Sequence, residues 1–310
     1  MTSTTEDRRT APTGDPDVTV LDTLAAFTAR LDDERRSGRT VGVVLTMGAL
    51  HRGHAALITR ASAECDVVAV TIFVNPTQFA EPVDLELYPR TPAADLGVAA
   101  SAGASVVFVP SVDEMYPGWP EAGGTTVSVH GPAGRWEGKS RPGHFDGVAT
   151  VVVKLLSAAG RCRTYFGEKD FQQLAVVRRA VADLSLPVTV VGCPTVRDPD
   201  GLALSSRNLR LTADERAAAP VLYRSLCAGA AALAAGGDRE AVERAVAETV
   251  ASERLVVLDY GALVDADDLE PADDREPADD RTSDRPLRLL VAATVGPVRL
   301  IDNLDPRRPR

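Results

Sequence analysis

Nine residues, Asp66 to Val74 (DVVAVTIFV), constrain the fold most, because nearly all are β-branched or apolar and no polar residue alternates among them. A strand of this kind is buried on both faces, as in a parallel sheet covered by helices. Val41 to Leu45 is a shorter run of the same type and reads as the first strand, followed by a Gly-rich turn and a helical stretch to about Glu64. The pattern then repeats. An Ala-rich helical stretch (Thr91 to Ala102) precedes a strand (Ser105 to Val109), and Gly147 to Ala159 precedes Arg163 to Phe166. A helix over Phe171 to Leu184 leads to a strand over Val188 to Val191. Such alternation predicts an α/β domain with a parallel sheet and helices on both faces, over residues 17–195.

The pattern changes after Thr195. Thr212 and Glu215 have the spacing of a capping box, which opens a long Ala-rich helix running to about Gly236-Gly237. Asp238 caps a second helix towards Glu253, and strands are expected at Leu255 to Tyr260, Leu287 to Val295 and Val298 to Ile301. Helices followed by strands predict a smaller C-terminal α+β domain over 196–310. The perfect repeat EPADDR at 270–275 and 276–281 interrupts it, and the acidic segment 265–285 reads as a disordered surface loop. Residues 1–16 are polar and read as a disordered lead-in, with no apolar run of the kind a signal peptide needs.

With 45% apolar and 25% charged residues, the 310-residue chain can bury a substantial core. Its net charge is −10, and the segment 265–285 alone carries ten acids against three arginines. The remainder is nearly balanced, which argues against a nucleic-acid partner. The longest uncharged apolar run is far below the ~20 residues of a membrane-spanning helix, so no membrane partner is expected. Cys65, Cys162, Cys193 and Cys227 are scattered among apolar residues with no CxxC pair, which suits reduced core cysteines of a cytoplasmic protein.

The chemistry concentrates in Thr46 to His54 (TMGALHRGH), at the passage from the Val41 strand into a helix. Gly48 permits a tight turn, and Gly53 permits a close approach at the helix start. His51 and His54, three apart, project to one side of a helix N-terminus, where amides and the helix dipole favour phosphate. Two imidazole donors there suit displacement at an α-phosphate. The alternative is a metal pair, but only His130 and His144 remain as histidine partners, neither at ligand spacing.

Other segments add polar groups at strand ends. Asn75 and Gln78 follow the DVVAVTIFV strand, where open α/β sheets place ligands, and a carboxamide can meet a hydroxyl and a carboxylate together. For Asn75 a plain Asn-Pro turn is the competing reading. Lys169 and Asp170 offer a phosphate-binding ammonium and a ribose acceptor, or merely a surface ion pair. Ser205, Ser206 and Arg207 offer two hydroxyls and a fork-shaped cation. Arg141 and His144 lie in a Gly/Pro-rich segment that reads equally as a mobile cover or as an anchored loop.

Taken together, TMGALHRGH, FVNPTQF at 73–79, DLELYPR at 84–90, RPGHFDGV at 141–148, FGEKDFQQ at 166–173 and DGLALSSRN at 200–208 resemble the pantothenate synthetase (pantoate–β-alanine ligase) family of the HxGH nucleotidyltransferases. The resemblance runs from about Val41 to Asn303. It implies a Rossmann-like sheet and an ATP-dependent ligation of (R)-pantoate to β-alanine through a pantoyl adenylate. His51, His54 and Lys169 would be catalytic. Met47, Gly48, Ala49, Leu50, Arg52, Gly53, Gly167, Glu168, Asp170, Val196, Leu204, Ser205, Ser206 and Arg207 would complete the ATP site. Gln78, Gln173 and Asn75 would take pantoate and β-alanine. Mg²⁺ would accompany ATP with its protein ligands unassigned, no organic cofactor would be tightly bound, and the protein would be a homodimer.

Four positions depart from that pattern. Ala93 and Ala94 stand where relatives often carry acids, which leaves Asp95 as the carboxylate there; Val98 replaces an amide, and Trp136 replaces a leucine. Two rivals stay open on sequence: a nucleotidyltransferase acting on a phosphate ester, and a nucleotide-binding regulatory module without catalysis.

Overall fold

The computed structural model describes residues 18–79, 82–120, 124–272 and 285–308. Six strands, β1 (Thr19–Leu21), β2 (Val41–Thr46), β3 (Val67–Ile72), β4 (Val106–Phe108), β5 (Cys162–Gly167) and β6 (Val188–Cys193), form one sheet. Its order is β1-β4-β3-β2-β5-β6 and every pairing is parallel. The β-branched run forms the interior strand β3, buried from Val67 to Thr71 as its composition requires. Val41 does not begin the first strand: β1 precedes it at the sheet edge, three residues long, exposed at two of them and too short to show a pattern.

Helices α1 (Leu24–Arg36), α2 (Arg52–Glu64), α3 (Pro82–Glu86), α4 (Pro92–Ser101), α5 (Val112–Met115), α6 (Glu137–Ser140), α7 (His144–Ala159) and α8 (Phe171–Asp183) connect these strands. Phe27 and Leu31 of α1 pack with α7 and α8 residues on one face of the sheet, while Ile58 and Ala61 of α2 and Ala99 of α4 cover the other. The sheet is therefore doubly covered, as expected.

Past β6 come α9 (Ala213–Ala218), α10 (Val221–Ala234) and α11 (Arg239–Ala251), then the antiparallel sheet of β7 (Val256–Asp265), β8 (Leu287–Val295) and β9 (Val298–Leu304). The Thr212–Glu215 capping box and the Asp238 cap are present. The long Ala-rich helix is in fact two, because Pro220 lacks the N–H that would continue the ladder. By length and composition the stretch 213–234 would pass for a membrane span, yet half of its apolar window is buried. Leu222, Leu226 and Ala230 pack in one core with Leu289 and Val291 of β8.

β7 and β9 run further than expected. β9 continues through Asp302 and Asn303, polar residues that are 4% and 3% exposed and bond across to the first sheet's loops. Part of the expected disordered loop is ordered. Leu269 is fully buried, its carbonyl accepts the Trp136 indole N–H at 3.0 Å, and Glu270 pairs with Arg135. The buried Leu269 side chain, together with these two contacts, anchors the turn at 265–272. The rest of the repeat, at 273–284, and the lead-in at 1–16 lie outside the described residues.

Candidate active site

Four neighbouring strands, β3, β2, β5 and β6, send their carboxyl ends to one edge of the sheet, and the chain's winding reverses between β2 and β5. A crevice at such a switch point is where doubly wound sheets bind ligands. The loop 47–51 leaves β2, the turn 168–170 leaves β5, and Asn75 to Gln78 follow β3.

His51 is the N-cap of α2. Its Nδ1 accepts the Gly53 N–H at 3.1 Å, and the Nδ1 of His54 accepts the His51 N–H at 3.3 Å. The sequence leaves these amides free for phosphate; in the structure the two rings use them, in the manner of a capping box. A ring accepting at Nδ1 carries its proton at Nε2 when neutral. Burial, then the Lys169 ammonium, lowers the His51 pKa, and burial followed by His51 pushes His54 down to about 4. Both are thus neutral Nε2–H donors at pH 7, with ring centroids 4.2 Å apart. A side chain at Gly53 would strike the His51 ring, with a Cβ only 2.8 Å from Cε1.

The loop before His51 is held from α4. Asp95, 2% exposed, accepts the Leu50 N–H at 2.7 Å, the Ala49 N–H at 3.1 Å and the Thr91 hydroxyl at 3.1 Å. In the sequence Asp95 stands only as a leftover acid, and Thr91 four residues before it is the one local sign of this role. Gly48, at φ +84°, leaves just enough room for this carboxylate.

Across the switch point, Lys169 pairs with Asp170 at 3.3 Å, so the plain ion pair is present. Both of its charges also act on the His51 ring, the ammonium lowering its pKa and the Asp170 carboxylate raising it. Burial opposes ionisation of Asp170, but Lys169 and Arg207 outweigh it and hold the carboxyl below the usual range. Glu168, expected on ATP, is engaged elsewhere: its carboxylate meets Arg288 of β8 at 3.0 Å. Gln173 is half-buried in the first turn of α8. Its neighbour Gln172, unnoticed in the sequence, bonds Pro132 O, Arg135 O and the Glu137 N–H.

Asn75, expected on substrate, is saturated internally. Its amide donates to Gln78 Oε1 and Gly147 O, and its oxygen accepts from Thr77 and from the Tyr116 hydroxyl. It orients Gln78, whose Nε2 lies 3.0 Å from the Met47 sulfur. Arg141 and His144 form an anchor. The Arg141 guanidinium, which can only donate, lies 3.0 Å from His144 Nε2, so His144 Nδ1–H donates to the Gln78 carbonyl at 2.8 Å. Burial and then Arg141 push His144 down to about 4.

Beyond β6, the Leu204 N–H bonds Val196 O at 2.9 Å, which brings the two expected nucleotide segments together. Ser205 caps the turn by accepting the Arg207 N–H, and Ser206 is half-buried at the start of the turn 206–210. Arg207 is exposed, while Arg52 reaches away to Asp198 at 2.5 Å.

Residues 19–305 match the family model described as pantoate-beta-alanine ligase. The chain belongs to the pantoate–β-alanine ligase family. It is 53% identical to the pantothenate synthetase of Cereibacter sphaeroides over 285 residues, covering 92% of this chain and 98% of that one. The relative from Rubrobacter xylanophilus is 50% identical over 280 residues, covering 87% and 92%. The Thermus thermophilus pantothenate synthetase structure superposes with a TM-score of 0.83 at 44% identity, covering 94% of this chain and all of that one. The Francisella tularensis pantoate–β-alanine ligase, solved with an ATP ligand and β-alanine, gives 0.72 at 33% identity, covering 94% and 98%.

Within this ligase family member the zinc alternative for His51 and His54 finds no support. No three His, Cys, Asp or Glu side chains gather into a metal site among the described residues. His130 is exposed and His144 is bonded to Arg141 and Gln78. The cysteines are free, and burial pushes Cys162 up to about 12, far from a nucleophilic thiolate. Trp136 is a packing change with a hydrogen bond added: its ring lies 5.3 Å from that of Tyr260, and its N–H ties the turn at Leu269.

Proposed function

We propose that the crevice between β2 and β5 joins (R)-pantoate to β-alanine in two steps. A pantoate carboxylate oxygen attacks the α-phosphorus of ATP, the bond to the bridging oxygen breaks, and pyrophosphate leaves. The β-alanine amine then attacks the acyl carbon of pantoyl adenylate; the C–N bond forms, AMP departs and the amine's proton passes to solvent.

His51 and His54 donate Nε2–H to phosphate oxygens as charge builds, with Lys169, Ser206 and Arg207 opposite. Met47 to Leu50, Gly53, Gly167, Asp170, Val196, Leu204 and Ser205 line the nucleotide, whereas the Arg52 side chain, expected there, is paired with Asp198 instead. Gln78 and Gln173 take pantoate, while Asn75 and Glu168 act by positioning. The single observation that carries this reading is the pair of capped imidazoles, both neutral, whose unused nitrogens are donors. Mg²⁺ would enter with ATP and would neutralise charge on its phosphates, as an ion that keeps much of its water shell can do with few protein ligands. The family resemblance further carries a homodimer working in the cytoplasm.

Pyrophosphate release from ATP and pantoate, without β-alanine, tests the first step. His54→Ala should slow it by orders of magnitude while still binding pantoate. Release near the unaltered rate would remove His54 from the mechanism.

A further inference from the structure

The side chain of Asn303, on β9, reaches out of the second sheet into the turn that carries Lys169. Its Nδ2 donates to Glu168 O at 2.9 Å and to Lys169 O at 2.8 Å. Its Oδ1 accepts from Arg288 Nε at 2.7 Å. The orientation of the amide is therefore unambiguous: the carbonyls can only accept and the guanidinium can only donate. Arg288 is fixed in turn, stacked 4.2 Å from the Phe171 ring with its other end on the Glu168 carboxylate. The preceding residue, Asp302, holds Arg197 with two hydrogen bonds of 2.5 and 3.0 Å, at the base of the segment joining Val196 to Leu204. Two adjacent residues of one strand thus grip both neighbouring walls of the crevice.

We propose that Asn303 is a positioning residue for Lys169, through which the docked second sheet sets the place of the ammonium in the crevice. Two short hydrogen bonds to consecutive carbonyls pin the backbone at Lys169 itself, so the only freedom left to the ammonium is that of its own side chain. An amide is required there. A carboxylate would face two carbonyl oxygens with no proton to offer, and the turn would move away from it. The inference rests on the reading that Lys169 acts on the phosphates.

The test is a double-variant cycle on the full chain, read by pyrophosphate release from ATP and pantoate. Asn303→Asp should lower kcat on the order of 10²-fold, the effect of roughly 1 Å of misplacement, with the KM for pantoate nearly unchanged. Combined with Lys169→Ala it should add nothing, because the group it places is gone. If Asn303→Asp does not fold, Asn303→Ser retains one donor and should show a smaller loss, also absent on the Lys169→Ala background. Losses that multiply in the double variant, or a fully active Asn303→Asp, would overturn the positioning role alone. A fully active Lys169→Ala would overturn the role proposed for Lys169 and this inference with it.

Discussion

Asp95 accepts the backbone N–H of Leu50 at 2.7 Å across 45 residues of sequence. Through that bond and its partner at Ala49, one carboxylate from α4 shapes the loop that delivers His51. Ala49 sits at φ +51°, a conformation that costs an L-residue about 1–2 kcal/mol. The charge-assisted bonds from its own N–H and the next offset that strain.

Asp95→Asn places an amide NH₂ against one of two N–H donors. Stability is expected to fall by about 1–3 kcal/mol, the range for leaving a buried donor unsatisfied. Pyrophosphate release should fall as well, because His51 loses its footing. Urea unfolding measures the first effect, and an unchanged midpoint would show that the loop holds itself.

Four histidines make the chain tractable for imidazole titration by NMR. His54 and His144 should titrate at about 4, and His51 below its ordinary value. The unfolded chain takes these protons near pH 6.5, before the folded one does, so stability is complete above that pH and drains away as pH falls towards 4. For His144, which is 9% exposed, the loss reaches about 3 kcal/mol. Midpoints near 6.5 for His54 and His144 would contradict the buried neutral rings.

Gln78→Ala should raise the dissociation constant for pantoate at least about tenfold, the worth of one lost hydrogen bond in a closed site. His144→Ala leaves the Gln78 carbonyl without its donor and should weaken pantoate less, by moving the backbone rather than removing the amide. Calorimetry with pantoate distinguishes them. Equal affinities for Gln78→Ala and the unaltered protein would take that side chain off the substrate.

The alternation of buried strands with helices, the HxGH turn and the Thr212 cap were legible because each is local: its physical cause lies within a few residues of sequence. Periodicity and spacing therefore marked the parallel sheet, its double cover and the loops at its edge. Less legible were features whose partners are remote. Asn75 and Glu168 read as ligand groups, since a sequence shows a side chain's capacity for hydrogen bonds but not who has already taken it up.

The order of residues along the chain determined which chemistry is available, namely two imidazoles, an ammonium, carboxamides and a guanidinium at strand ends. Only the tertiary structure decided which of them remain free and which are supports. Asp95 and Asn303 hold the site from 45 and 134 residues away, and Gln172 ties the segment 132–137 to α8 across 35. Such contacts exist once separate layers pack, and nothing in the local pattern of either partner records them.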